Sequence, residues 1–151
     1  MPTAVVLYDS KTGNTESLAK AIAEGIRSSG GVNVVMRKIG SAFPLLTELE
    51  KADALILGSP AKYANITTEM RELLQSIENL SQFGRVNLTG KIGAAFGTYG
   101  WDGGWALENT FNNVMKKLGI KPIQPILLCV ENPSEKVLEK ARDFGKRIAA
   151  E

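Results

Sequence analysis

Histidine is missing from this sequence altogether, and cysteine occurs once, as Cys129. Without histidine, no Ser-His-Asp or Cys-His nucleophilic site can be assembled. No histidine-containing zinc or di-iron site can form either, and a single thiolate cannot support a cysteine-rich one, so no metal site is expected. One cysteine cannot close an internal disulfide, which points to a reducing, cytoplasmic setting with Cys129 as a core thiol. Long apolar runs are also missing: none approaches the roughly 18–20 residues that cross a bilayer. The opening MPTAVVLYDS has no basic segment and only a short apolar stretch, so neither a signal peptide nor a membrane partner is expected. Nor is there an excess of one charge. Eighteen basic residues face 16 acidic ones, for a formal charge of +2, too balanced for a nucleic-acid binder. What chemistry the chain performs is therefore expected to reside in a cofactor rather than in a side-chain nucleophile.

What is present reads as one domain over residues 1–151, since 151 residues at 44% apolar content suit one hydrophobic core. Strand and helix signals alternate. Ala4–Tyr8, Val32–Met36, Ala52–Leu57, Ile92–Phe96 and Ile123–Val130 read as strands, the first a continuous apolar run of the kind a buried parallel strand shows. Helical spacing links Leu18, Ala19, Ile22, Ala23 and Ile26, then Met70, Leu73, Leu74 and Ile77, then Leu107, Phe111, Val114, Met115 and Leu118, and finally Val137, Ala141, Phe144 and Ile148. Gly30–Gly31 and Gly119 are expected to end two of these helices. Asn132-Pro133-Ser134-Glu135 reads as a cap with proline at the first helical position. The segment after Met36 has room for one short helical turn. Five strands with intervening helices imply a doubly wound parallel sheet. Ligands bind such sheets at the carboxyl ends of the strands.

Unusual residues do follow strands one, three and four. Ser10-Lys11-Thr12-Gly13-Asn14-Thr15 leads directly into a helix, where N–H groups and the positive helix end make an anion cradle. Its hydroxyl and amide side chains exceed what one cap needs, although an ordinary strand-to-helix turn capped by Thr or Asn is the plainer alternative. The G-x-x-x-x-G-K-[ST] and G-x-G-x-x-G motifs are both absent, which excludes the P-loop and the dinucleotide fingerprint. Gly58-Ser59-Pro60-Ala61-Lys62-Tyr63-Ala64-Asn65 is a turn-rich loop with one aromatic. Gly97-Thr98-Tyr99-Gly100-Trp101-Asp102-Gly103-Gly104-Trp105 packs three aromatics and four glycines into nine residues. Tyr99 and Trp101 precede the helix and suit ligand contact, Trp105 is equally suited to the core, and Asp102 suits a helix cap. A phosphate cup flanked by two aromatic, glycine-rich loops fits a flat ring bearing one phosphate, such as flavin mononucleotide (FMN).

The segment VLYDSKTGNTESLAKAI, Val6 to Ile22, resembles the signature of the flavodoxin family: an apolar strand, a [ST]-x-T-G-N-T loop, then a helix. Length and element order resemble a short-chain flavodoxin, and the loops GSPAKYAN and FGTYGWDGGW resemble those of the flavodoxin domain of A-type flavoproteins, without that group's di-iron domain. The resemblance implies a flavodoxin-like three-layer αβα sandwich with a five-stranded parallel sheet in the order 2-1-3-4-5. It implies noncovalent FMN and electron transfer between redox partner proteins. Ser10, Lys11, Thr12, Gly13, Asn14 and Thr15 would surround the phosphate. Ser59, Pro60, Ala61, Lys62, Tyr63 and Ala64 would lie along one side of the ring system, with a backbone carbonyl near Ala61 turning to meet its N5 proton. Glycine would make that turn easiest, and none stands there. Thr98, Tyr99, Gly100, Trp101, Asp102 and Gly103 would cover the other side. Tyr99 and Trp101 compete as the stacking ring, with Tyr63 available to the opposite face.

Many flavodoxins are strongly acidic, whereas this sequence has a pI near 8.7. Lys11 and Lys62 stand in the two loops, and a cation there favours the fully reduced flavin anion. The partner of such a carrier is expected to be acidic, or to dock through apolar contact around the ring. Two other functions compete. A small FMN-dependent NAD(P)H:quinone or flavin reductase on the same fold needs room for a second flat substrate, and no extra segment supplies it. A binding module without redox work would be expected to have eroded loops, and all three are intact.

Overall fold

Strand residues that are apolar on both sides need cover on both sides, and the architecture follows from that. The computed structural model describes residues 2–10, 13–39, 46–61, 65–99, 104–124, 126–130 and 132–151. Its elements run β1 (Thr3–Tyr8), α1 (Asn14–Ser28), β2 (Asn33–Lys38), α2 (Leu46–Lys51), β3 (Ala54–Pro60), α3 (Thr68–Gln82), β4 (Ile92–Tyr99), α4 (Gly104–Leu118), β5 (Lys121–Pro122), β6 (Leu127–Val130) and α5 (Glu135–Ala150). All pairings are parallel, in the order β2-β1-β3-β4, with β5 and β6 both on the far side of β4. This is the expected 2-1-3-4-5 sheet, its fifth position filled by two short strands.

Alternate residues of one strand serve opposite layers. On β1, Ala4, Val6 and Tyr8 join a core with Leu18, Ile22 and Ile26 of α1 and Phe144 and Ile148 of α5. Val5 and Leu7 face the other way, onto Met70 and Leu74 of α3 and Phe111 and Met115 of α4. The stripes read from the sequence are these buried faces.

Several boundaries differ. The fifth strand is not continuous from Ile123 to Val130. Gly93 faces Pro122 and Phe96 faces Leu127, so three steps along β4 match five along the edge. Proline brings no N–H to a ladder, and after Ile123 N–H bonds Gly93 O at 2.7 Å the pairing with β4 stops until Leu127; Pro125 lies outside the described residues. At the start of α5 the cap is Ser134, whose hydroxyl accepts from Val137 N–H. Asn132 is not the cap, and Pro133 lies outside the helix. The short helical turn expected after Met36 is present as α2. Finally, β3 and β4 run on to Pro60 and Tyr99, with Ser59 opposite Gly97 and Pro60 opposite Thr98. Backbone groups in a buried sheet need partners, so the ladder continues past the last apolar residue.

Candidate cofactor site at the strand ends

Burying a polar side chain is unfavourable unless it finds partners. Among the described residues the buried polar or charged side chains are Asp9, Ser10, Thr15, Ser59, Thr67 and Thr98. All six lie at one place. Asp9 and Ser10 follow β1, Ser59 and Thr98 are the penultimate residues of β3 and β4, Thr15 is in the first turn of α1, and Thr67 caps α3. The rest of the buried interior is apolar, and no buried side-chain nitrogen or oxygen among the described residues lacks a hydrogen-bond partner.

The first loop gathers donors at one point. Gly13 caps α1 at φ +93 with no side-chain cap, so neither Thr nor Asn performs that role. A side chain at Gly13 would meet nothing within 4 Å, so the left-handed backbone, not space, calls for glycine there. The turn brings Gly13 N–H and Glu16 N–H onto Ser10 Oγ, at 3.1 and 3.3 Å. This turn lies at the positive end of a fifteen-residue helix, where an anion is favoured. Asn14 opens α1 half-buried. Thr15 is turned the other way, its hydroxyl 2.9 Å from that of Thr98, which ties the cup to β4. Lys11 and Thr12 lie outside the described residues.

The second loop is fixed at its base. Ser59 Oγ donates to Pro60 O at 2.9 Å and accepts from Thr67 N–H at 3.1 Å, so this expected ring contact has its hydroxyl turned inward. The Thr67 hydroxyl donates to Asp9 Oδ2 at 2.5 Å and accepts from Met70 N–H at 3.2 Å. Ala61 N–H bonds Thr98 O at 2.7 Å. Asn65 Oδ1 accepts from Ile66 N–H and from the Thr110 hydroxyl of α4, at 2.8 and 2.7 Å. Lys62, Tyr63 and Ala64 lie outside the described residues.

In the third segment, Thr98 and Tyr99 belong to β4 itself. Tyr99 pairs with Val130 and is half-buried against the α3–α4 core, a packing role that its place before the helix did not suggest. Gly100, Trp101, Asp102 and Gly103 lie outside the described residues, as do the expected stacking role of Trp101 and the capping role of Asp102.

Beside the cup, the Tyr8 hydroxyl donates to Glu16 Oε1 at 3.2 Å. That bond, with Lys38 and Lys20 at 3.6 and 3.7 Å, holds the Glu16 carboxyl below the ordinary range. Burial first, and then the Glu16 charge, push the Tyr8 phenol up. Burial likewise raises the Cys129 thiol, in keeping with a core residue.

Sequence reasoning missed Asp9 and Thr67. Both had a signal: Asp9 directly follows an apolar strand, and Thr67 precedes the helical stripe at Met70 by the three residues of a cap.

A doubly wound sheet with a glycine-capped polar turn after its first strand, beside the point where strand order reverses, has the form of a nucleotide-type cofactor fold. The chain matches the Flavodoxin family over residues 6–145. It is 34% identical to a flavodoxin of Clostridium saccharobutylicum over 95% of this chain and 93% of that protein. It is 32% identical to the type A flavoprotein fprA of Rhodobacter capsulatus over 97% of this chain, but spans only 32% of that relative. The solved structure of a flavodoxin from the domain Archaea superimposes with a TM-score of 0.85 at 32% identity, covering 98% of this chain and 96% of the other. The chain belongs to the flavodoxin family, and its function is electron transfer on a flavin.

Proposed function

We propose that this chain carries electrons singly on noncovalently bound FMN, between a reductase and an acceptor protein of the cytoplasm. The observation that carries the reading is the confinement of all six described buried polar side chains to the ends of β1, β3 and β4. Ser10, Lys11, Thr12, Gly13 and Asn14 would hold the phosphate, with Thr15 behind them tying the turn to β4. Ser59 to Ala64 would border one side of the ring and Thr98 to Gly103 the other, while the bonded base of the β3 loop keeps that border in place. When bound, FMN supplies a ring system that accepts and releases one or two electrons. The chain's own residues would orient it, and the N–H groups of the first turn of α1, with Lys11, would favour its phosphate. With a formal charge of only +2, docking would rely on apolar contact near the ring or on an acidic partner.

The test is titration of apo-protein with FMN, followed by stepwise anaerobic reduction. A long-wavelength absorption band that grows and then decays means separated one-electron steps and supports the carrier. Direct bleaching in one two-electron step, with turnover of NADH or NADPH against quinones, would replace it with the reductase reading.

A further inference from the structure

Residues of β4 face the two layers of the molecule in turn. Ala94 and Phe96 pack with α1 and α5, while Ala95 and Tyr99 pack with α3 and α4. By that alternation Thr98 faces the α1 layer. There its hydroxyl lies 2.9 Å from that of Thr15, 83 positions away in the first turn of α1, and both residues are buried. A hydrogen bond is shorter than an apolar contact. Two carbon atoms would stop at about 3.5–4.0 Å, so the hydroxyl pair draws the start of α1 closer to the sheet than a pair of methyl groups could. Stability alone does not call for this, because replacing both partners of a buried hydrogen bond by apolar groups of the same shape is nearly neutral. The bond acts inside the turn around Ser10. Gly13 N–H and Glu16 N–H, on either side of Thr15, both reach Ser10 Oγ, and Ser17 N–H returns to Gly13 O. The carbonyl of Thr98 is engaged separately, by Ala61 N–H at 2.7 Å.

We propose that Thr98 is a positioning residue for the phosphate rather than for the ring: through Thr15 its hydroxyl sets how close the first turn of α1 stands to the sheet. The inference rests on the FMN reading above and deepens it. Thr98 opens the segment expected beside the ring, whereas its side chain serves the turn expected at the phosphate. Riboflavin is the discriminating probe, because it carries the same ring without the phosphate.

The experiment is fluorescence titration of the apo-protein with FMN and with riboflavin, well below the melting temperature of each variant. Thr98→Val keeps the shape but removes the hydroxyl and leaves that of Thr15 unmet. It is expected to weaken FMN about tenfold, while riboflavin binds within about twofold of wild type. The ratio of the two dissociation constants is the readout, because a variant that is merely less stable loses both ligands in proportion. Thr98→Ser, which restores the hydroxyl, is expected to return FMN to within about threefold of wild type. The inference is overturned if Thr98→Val binds FMN as tightly as wild type, if it weakens riboflavin as much as FMN or more, or if Thr98→Ser weakens FMN as much as Thr98→Val does. Should Thr98→Val fail to fold, Thr98→Ala, which leaves room where the valine methyl would press, is judged by the same ratio. A wild-type chain that binds neither flavin removes the FMN reading itself, and this inference with it. A wild-type chain that binds FMN, with variants that fail the ratio, removes this inference and leaves the FMN reading standing.

Discussion

The two faces of the sheet are built differently. On one, α1 and α5 run together along much of their length, and glycine makes that approach possible. A Cβ added to Gly25 would lie 2.0 Å from Arg142 O, and one added to Gly145 would lie 2.2 Å from Ile22 O, so each helix presses its backbone into the other. On the opposite face, α3 and α4 meet sparingly. Large side chains such as Met70 and Phe111 fill the core below them. Above it lies an open groove of about 260 Å³, bordered by Arg71, Gln75, Glu78 and Lys117. The turn proposed to hold phosphate leads into α1 on the tight face, and the loops expected beside the ring lead into the helices of the looser one. The proposed phosphate anchor thus belongs to the closely packed side, while the described base of the β3 loop depends on individual hydrogen bonds.

The largest effect should come from breaking the tight face. Gly25→Ala forces a methyl against backbone that cannot step aside, and is expected to destabilise the fold by about 2–3 kcal/mol. Gln75→Ala, in the groove of the other face, is expected to change stability by less than about 0.5 kcal/mol. Urea unfolding of both variants is the check, and equal losses would mean that the two faces do not differ as described.

Next in size is the separation of anchor from ring. Ser10→Ala removes the oxygen that gathers Gly13 N–H and Glu16 N–H. Paired titrations with FMN and with riboflavin, which carries the same ring without the phosphate, should show FMN weakened about five- to tenfold and riboflavin unchanged. If both flavins weaken together, the cup is not a separate phosphate anchor.

The sequence already disclosed the part of this arrangement that periodicity controls. The four helical stripes are the four buried helix faces, because packing at helical spacing leaves an unambiguous trace. The apolar strands and their order followed from the alternation of elements and the family signature. What stayed illegible has physical reasons. Gly25 and Gly145 sit inside helical patterns where glycine reads only as a weak helix former, and the close α1–α5 approach appears only when the two segments meet in space. Asp9 and Thr67 lie 58 positions apart, a pairing that no local pattern encodes. The ends of β3 and β4 looked like loop because Ser59 and Thr98 are polar, yet their partners, Thr67 and Thr15, keep them on the ladder. Pro133 led the reading of the α5 cap astray, since proline before a helix suits positions outside it as well as the first one inside.

A smaller effect concerns acid and alkali near the cup. Glu16 has a folded-state pKa below its unfolded value, chiefly through the Tyr8 hydroxyl and then through Lys38 and Lys20. Its charge therefore stabilises the fold above the unfolded pKa, and that contribution is lost as pH falls through the lower folded value. Tyr8 behaves oppositely. Its raised pKa gives a contribution present below the unfolded value near 10 and lost as pH rises through the folded one. Glu16→Gln should flatten the dependence of stability on pH below about 4.5, measured by urea unfolding at several pH values. An unaltered acid slope would mean that the Tyr8–Glu16 bond contributes nothing to the stiffness of the first turn of α1.

The smallest expected effect belongs to the looser face and bears on the redox work itself. Lys62 stands in the loop after β3, outside the described residues, within the segment proposed to border the ring. A positive charge there favours the fully reduced flavin anion over the neutral oxidised ring, so it raises the potential of the second, more negative couple. Salt weakens that influence wherever solvent reaches the charge. Lys62→Gln is therefore expected to lower this couple by about 10–20 mV, the size of an exposed charge interaction of a few tenths of a kcal/mol, and the shift should shrink as ionic strength rises. A potential that is unchanged or higher in the variant would mean that the lysine does not act on the ring. A shift indifferent to salt would place its charge in a desolvated position and make the β3 loop less open than the rest of its face.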